Sequence, residues 1–221
     1  MSISPHIGSQ LVDLCSALLL LTCFAIVAQR RLSACVDLFA LQSAFLALTA
    51  AVVAFLTGIH HIYLAAALTV IIKVIIIPRV LKKVIERLNV TRELVMYINV
   101  PAGLLICGAL VMLAFFITQP IIPLGFLLTR DSLAIALAIV LIGFFTMIAR
   151  KKAVTQVVGF LVMENGLFLG ATAAAYGMPL IVELGVLFDV LVGGLIIGIY
   201  THRIQDAFDS VDTSKLTVLK E

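Results

Sequence analysis

Runs of apolar residues fill most of the chain, and short polar breaks divide them into seven stretches. A helix needs about 20 apolar residues to cross hydrocarbon, and each stretch is of that order. The pattern predicts an all-α, polytopic membrane protein with seven transmembrane helices, at Leu11–Ala28, Ala34–Thr57, His60–Arg79, Leu94–Thr118, Ser132–Ala149, Ala153–Tyr176 and Pro179–Thr201. Pro101 and Pro179 fall in first turns, where a missing N–H does no harm. Met1 to Gln10 contains no basic run, and no small-residue cleavage site follows the first stretch, so that stretch reads as a retained span and not a signal peptide. The spans divide one transmembrane domain (1–221) into a three-helix unit over 11–79, a connecting helix over 94–118, a second three-helix unit over 132–201 and a polar tail over 205–221.

Composition agrees with this pattern. The 221 residues are 63% hydrophobic and 12% charged, too little charge for a soluble domain of this length. The net charge of +3 matters only through its placement. Arg30 and Arg31 follow span one, Arg79, Lys82, Lys83, Arg87 and Arg92 follow span three, Arg150, Lys151 and Lys152 follow span five, and Arg203, Lys215 and Lys220 follow span seven. Of the 15 Lys and Arg, all but Lys73 and Arg130 therefore fall on one side. By the positive-inside bias, the N-terminus lies outside and the C-terminus in the cytoplasm. Between spans three and four, the apolar residues at 80, 81, 84, 85 and 88 suit a helix that continues past the membrane surface. That segment is either an interfacial amphipathic helix or a dock for a cytoplasmic partner.

A weak repeat is visible at an offset of 121, pairing Ala28-Gln29-Arg30-Arg31 with Ala149-Arg150-Lys151-Lys152 and Phe39 with Phe160. It would relate spans one to three to spans five to seven as parallel repeats, with span four between them.

Ionisable groups at bilayer depth cost about 2.5–3.5 kcal/mol each on insertion scales, so each needs a reason to be there. Glu164 lies 11 residues into span six and Asp189 lies 12 residues from the cytoplasmic end of span seven. At a rise of about 1.5 Å per residue, both reach roughly 16–18 Å, close to the midplane. Two carboxyl groups at one level could pass a proton through an intervening water, or could simply hydrogen-bond two helices together.

Several other residues bear on such a path. Gln156 shares the helical stripe of Glu164 and leads toward the cytoplasm, whereas Asn165 is about 100° round the helix. Lys73, about six residues from the inner end of span three by this reading, either partners a carboxylate or snorkels to the headgroups. Glu183, four residues into span seven, belongs to the outer interface or to the outer end of a proton path. Asp13 and Asp37 sit near span ends and read as solvated.

Small residues also carry a message. Gly166-x-x-x-Gly170 and Gly194-x-x-x-Gly198 predict close helix approach, holding the two acidic helices together. Cys15, Cys23, Cys35 and Cys107 form no CxxC pair and read as small packing residues. His60 and His61 stand in an outer turn with no ligand partner nearby in sequence. No nucleophile, cofactor motif or metal constellation is found, so the chain is expected not to be an enzyme by itself, and nothing points to nucleic acid.

From Arg150 to Arg203 the chain resembles the three-helix K subunit of respiratory complex I. The resemblance is carried by Arg150-Lys151-Lys152, then Gly159-Phe160-Leu161-Val162-Met163-Glu164-Asn165, then Leu187-Phe188-Asp189-Val190-Leu191-Val192-Gly193-Gly194 and Tyr200-Thr201-His202-Arg203. Its length, seven spans and Val-Met-Glu-Asn-Gly stretch resemble more particularly the hydrogenase-4 component E family, membrane subunits of formate hydrogenlyase-like complexes, over essentially the whole chain. The K pattern is not kept throughout: its first glutamate falls at Leu161, and Asp189 is one methylene shorter than the second. In the first repeat, the Glu164 position is Ser43 and, with a five-residue deletion, the Asp189 position is Lys73, so that half reads as scaffold.

The resemblance implies a membrane-arm subunit of a complex I-like, group 4 nickel–iron hydrogenase in a bacterial or archaeal cytoplasmic (inner) membrane. Partner subunits, antiporter-like, quinone-subunit-like and peripheral, would hold the nickel–iron centre and the iron–sulfur clusters, with no cofactor in this chain. Proton or sodium movement would run through Glu164 and Asp189, with Lys73, Glu183 and Gln156 beside them. The alternatives are a structural membrane adaptor without ion conduction, or a subunit of a multi-subunit cation/proton antiporter.

Overall fold

The computed structural model describes residues 5–58, 60–87, 97–121, 130–151 and 153–175. In order they form α1 (Pro5–Ala28), α2 (Leu32–Thr57), α3 (His60–Thr69), a π-helical segment (Val70–Ile76), α4 (Ile77–Arg87), α5 (Val100–Thr118), a 3₁₀ turn (Gln119–Ile121), α6 (Arg130–Ala149) and α7 (Ala153–Ala175). No strand occurs among the described residues. Six stretches of helix are long and apolar enough to cross a membrane: Gly8–Ala28, Leu32–Thr57, Ile62–Glu86, Val100–Thr118, Asp131–Ala149 and Val154–Thr172. The seventh span expected, Pro179–Thr201, and the tail over 205–221 lie outside the described residues.

Two helical hairpins form the centre. α1 packs along α2, α6 packs along α7, and the hairpins meet where α1 touches α6 and α2 touches α7. α5 lies against α1 and α6, and the α3–π–α4 rod lies against α2. α2 stops at Gly58, whose φ of 70° lets its N–H reach back to the Ala54 oxygen, a conformation that a Cβ disfavours.

Hydrophobicity does not sort the faces of these helices, because hydrocarbon is as apolar as leucine. The polar groups do the sorting, and they point inward. Gln42, Ser43, Lys73, Glu164 and Asn165 are all buried. Several buried hydroxyls bond the carbonyl one turn back, as Thr69 does to Ala65, Thr146 to Ile142 and Thr172 to Phe168. α5 is the least enclosed span, with Leu105, Met112 and Phe116 facing outward.

One span limit differs from the sequence reading. Span four was expected from Leu94, but α5 starts at Val100, with Asn99 extended ahead of it and Pro101 in its first turn. Pro101 has no N–H and its ring would meet the carbonyl of Tyr97 in a regular helix, so it is confined to the first turn. After span three the helix runs on past Arg79 to Arg87, as the apolar spacing over 80–88 predicts. Arg79 and Lys83 stand on its exposed face while Leu81 and Val84 are buried, so charges on one face do not end the helix. Lys82 of this extension pairs with Asp37 of α2.

The rod is interrupted by its own sequence. Pro78 has no N–H, and in a regular helix its ring would meet the carbonyl of Val74. The turns ahead of it are widened to i→i−5 bonding, with the Ile77 N–H donated to the Ile72 oxygen. Lys73 is the one buried residue of that widened segment.

Glycine fixes the closest helix pair. A Cβ at Gly143 of α6 would lie 2.5 Å from the Met163 backbone nitrogen, and one at Gly166 of α7 would lie 2.8 Å from the Val140 nitrogen. A Cβ at Gly170 would come within 3.3 Å of the Ala136 Cβ. Gly166 and Gly170 therefore seat α7 on α6; the second acidic helix, with Gly194 and Gly198, lies outside the described residues. Small residues at this spacing permit close approach but carry no side chain to say which neighbour approaches.

Candidate functional site at mid-span

Leu19, Gln42, Lys73 and Glu164 each stand near the middle of their own apolar stretch. There the helices bring one continuous polar cluster together. Lys73 Nζ lies 3.0 Å from Glu164 Oε1, and the two side chains are only 2% and 4% exposed. The same ammonium donates to Asn165 Oδ1 at 3.2 Å. Asn165 Nδ2 donates to Gln42 Oε1 at 3.2 Å and to Ser43 Oγ at 3.1 Å. Gln42 Nε2 in turn donates to the Leu19 carbonyl at 3.3 Å and to Cys23 Sγ at 2.8 Å. The cluster thus runs from the π segment through α7 and α2 to α1.

Each member owes its place to local structure. Lys73 is 11 residues from the start of Ile62–Glu86, and Glu164 is ten residues from the start of Val154–Thr172. At about 1.5 Å per residue, the two antiparallel elements bring both groups to about 15 Å from opposite ends. Lys73 is enclosed against Glu164 and does not extend toward an end of its rod. Consecutive residues, Glu164 and Asn165, both reach Lys73 because the ammonium lies between the directions of their side chains.

Burying either charge alone is costly, and pairing offsets much of that cost when further hydrogen bonds complete the shell. Here an amide oxygen supplements the carboxylate around the ammonium. The chemistry open to the cluster is proton exchange: a carboxylate that accepts and releases a proton beside a fixed cation. Among the described residues, no three His, Cys, Asp or Glu side chains gather to hold a metal ion.

The other expected site residues are placed as follows. Gln156 lies near the start of α7, where its Nε2 donates to the Arg150 carbonyl at 3.0 Å. Asp189 and Glu183 lie outside the described residues. Asn165, Gln42 and Ser43 were not singled out as site members by sequence. The signal for the two amides is their rarity in apolar helices, and Gln42 stands next to Ser43, the repeat counterpart of Glu164.

A second polar tie stands at the basic end of the bundle. Arg150 is 2% exposed, and its Nη2 donates to the carbonyls of Ile26, Val27 and Gln29 at 2.9, 3.2 and 3.2 Å. These are among the last carbonyls of α1 and the turn after it, where regular i→i−4 donors run out and Ile26 O takes only the Gln29 N–H at 3.3 Å from the backbone. Burial draws the Arg150 guanidinium below its usual pKa. Beside it, Tyr97 N–H donates to the Ala149 oxygen at 3.1 Å, and Lys151 Nζ stands 4.4 Å over the Tyr97 ring. At the opposite end, Ser132 Oγ lies 2.9 Å from Ser16 Oγ and donates to Asp13 at 3.3 Å, so Asp13 has a protein partner.

No protein-family model and no solved structure matches the chain. Uncharacterized protein Rv0085 of Mycobacterium tuberculosis is 35% identical over 218 residues, covering 96% of this chain and 97% of that protein. Hydrogenase-4 component E of Escherichia coli K12 is 25% identical over 217 residues, covering 96% of this chain and 99% of that protein. The hydrogenase-4 component E of Shigella flexneri is similar to the same extent.

Proposed function

The chain belongs to the family of membrane proteins that includes hydrogenase-4 component E, and from that premise we propose that it is a non-catalytic membrane-arm subunit of a complex I-like, group 4 nickel–iron hydrogenase. It links electron transfer in partner subunits to movement of protons, or sodium, across a bacterial or archaeal cytoplasmic membrane. Seven spans cross that membrane, with the N-terminus outside and the basic ends and tail in the cytoplasm. The nickel–iron centre and iron–sulfur clusters belong to partner subunits, and this chain's share of the work is ion handling.

Support for ion handling comes from the Lys73–Glu164 pair at mid-span. When the Glu164 carboxylate takes a proton, an oxygen lone pair becomes an O–H and the anion facing Lys73 disappears. When the proton leaves, the ion pair returns. Proton occupancy is thereby converted into a change of buried charge, which neighbouring spans feel strongly because little water screens it. Asp189 is the next carrier at the same level, Glu183 serves the outer end and Gln156 the inner end.

The test is Glu164→Gln with Asp189→Asn in the assembled complex, measuring ion movement and hydrogen output together. In the complex that assembles, hydrogen output should be retained while ions moved per hydrogen fall by about 100-fold or more, the usual scale for removing a positioned proton carrier. Full ion movement at unchanged hydrogen output would overturn the conduction role.

The near-complete enclosure of the pair favours one other reading, a structural adaptor in which the charges only pin helices. The same double variant would then impair assembly and leave the ratio of ions to hydrogen intact in whatever complex formed.

A further inference from the structure

An amide beside an ammonium ion can present either its oxygen, which attracts, or its NH₂, which repels. Two bonds decide the matter for Asn165. Its Nδ2 donates to Gln42 Oε1 at 3.2 Å and Ser43 Oγ at 3.1 Å, which occupies both amide protons and turns Oδ1 toward Lys73. Gln42 faces the same ambiguity, and α1 resolves it. The Leu19 carbonyl and Cys23 sulfur take the Nε2 protons, leaving Oε1 as the acceptor for Asn165. Every bond in the series therefore points the same way, from ammonium to amide to amide to α1 backbone. Reversing any one member would set a donor against a donor.

We propose that Gln42 and Asn165 are positioning residues for the Lys73–Glu164 pair, a two-amide relay through which α1 and α2 fix where the lysine's charge sits relative to the carboxylate. When Glu164 is ionised, Lys73 is shared between Glu164 Oε1 and Asn165 Oδ1. When Glu164 takes a proton, Asn165 Oδ1 keeps an oxygen on the ammonium. The relay holds Lys73 within reach in both states, so the pair re-forms without a search. Its bearing on ion movement rests on the conduction reading above, whereas the geometry of the relay does not.

The experiment is infrared titration of the purified full-length chain in detergent, following the protonated carboxyl band that Glu164→Gln removes. Gln42→Leu should move the midpoint of that band by about one pH unit or more, the response expected when a nearby charge is repositioned. Asn165→Leu should do the same, and Gln42→Leu with Asn165→Leu should move it no further than Asn165→Leu alone, because the first acts through the second. Ser43→Ala, which removes one acceptor of Nδ2, gives a milder variant read the same way should Gln42→Leu fail to fold. An unmoved midpoint in Gln42→Leu or in its milder substitute, or additive shifts in the double variant, would overturn the relay while leaving the conduction reading standing. A moved midpoint in a chain whose assembled complex pumps normally after Glu164→Gln would keep the relay and remove conduction.

Discussion

A lysine and a glutamate that meet inside a bilayer each lower the cost of the other, and the loss of one is felt through the one left behind. Lys73→Met keeps the length of the side chain and removes its charge, stranding Glu164. The expected loss is about 3–5 kcal/mol, read as reduced unfolding free energy in detergent. Lys73→Met with Glu164→Met should recover most of that loss, since no uncompensated charge remains, yet the assembled complex should stay uncoupled. Stability and conduction are thereby separated at the same two positions. Glu164 was legible in the sequence because depth is simple arithmetic on a helix. Lys73 stayed open between two roles, because a sequence does not show which side chain of another helix it faces. Asn165 was set aside for lying about 100° from Glu164, but a long lysine side chain reaches the gap between two such directions.

Among the elements, the α6–α7 pair depends on backbone approach, so methyl groups should act in proportion to what they meet. Gly143→Ala would press a Cβ to 2.5 Å from Met163 backbone, which cannot swing aside as a side chain can. The expected cost is about 1–3 kcal/mol of overpacking, seen as a lower melting temperature in detergent. Gly170→Ala, with its Cβ 3.3 Å from the Ala136 Cβ, should cost clearly less. Because Met163 precedes Glu164, the first variant should also disturb the pair while the second should not. The apolar runs announced these helices plainly, since length and continuity are all that hydrocarbon demands. Pro78 was the unread signal for the π segment: a proline four residues beyond Val74 forces the preceding turns to widen, and Lys73 sits within those turns.

Across the whole molecule, the basic turn after span five does more than mark a side of the membrane. Arg150 Nη2 reaches Gln29, its counterpart at the repeat offset of 121, and closes α1 at its carbonyl end. Replacing it with Met would strip the charged donor from all three carbonyls, leaving Ile26 O with the Gln29 N–H at 3.3 Å and the Cys35 thiol, and, among the described residues, Gln29 O with that thiol alone. Arg150→Met should destabilise the bundle by about 1.5–3 kcal/mol, the worth of hydrogen bonds to a charged donor. Arg150→Lys should rescue only in part, because one ammonium cannot match the planar fork of the guanidinium. Melting temperature in detergent checks both variants. The charge count alone hid this role, since a sequence shows which side a cation is on but not whether it is dissolved or enclosed.

The mid-membrane cation comes from the first half of the chain and its anion from the second. A descendant pared down to its last three spans would inherit Glu164 without Lys73, and would have to shed the acid or recruit a cation from another gene product. Loss of the early helices is therefore not a neutral shortening: the two halves are bound to be inherited together by one bond of opposite charges.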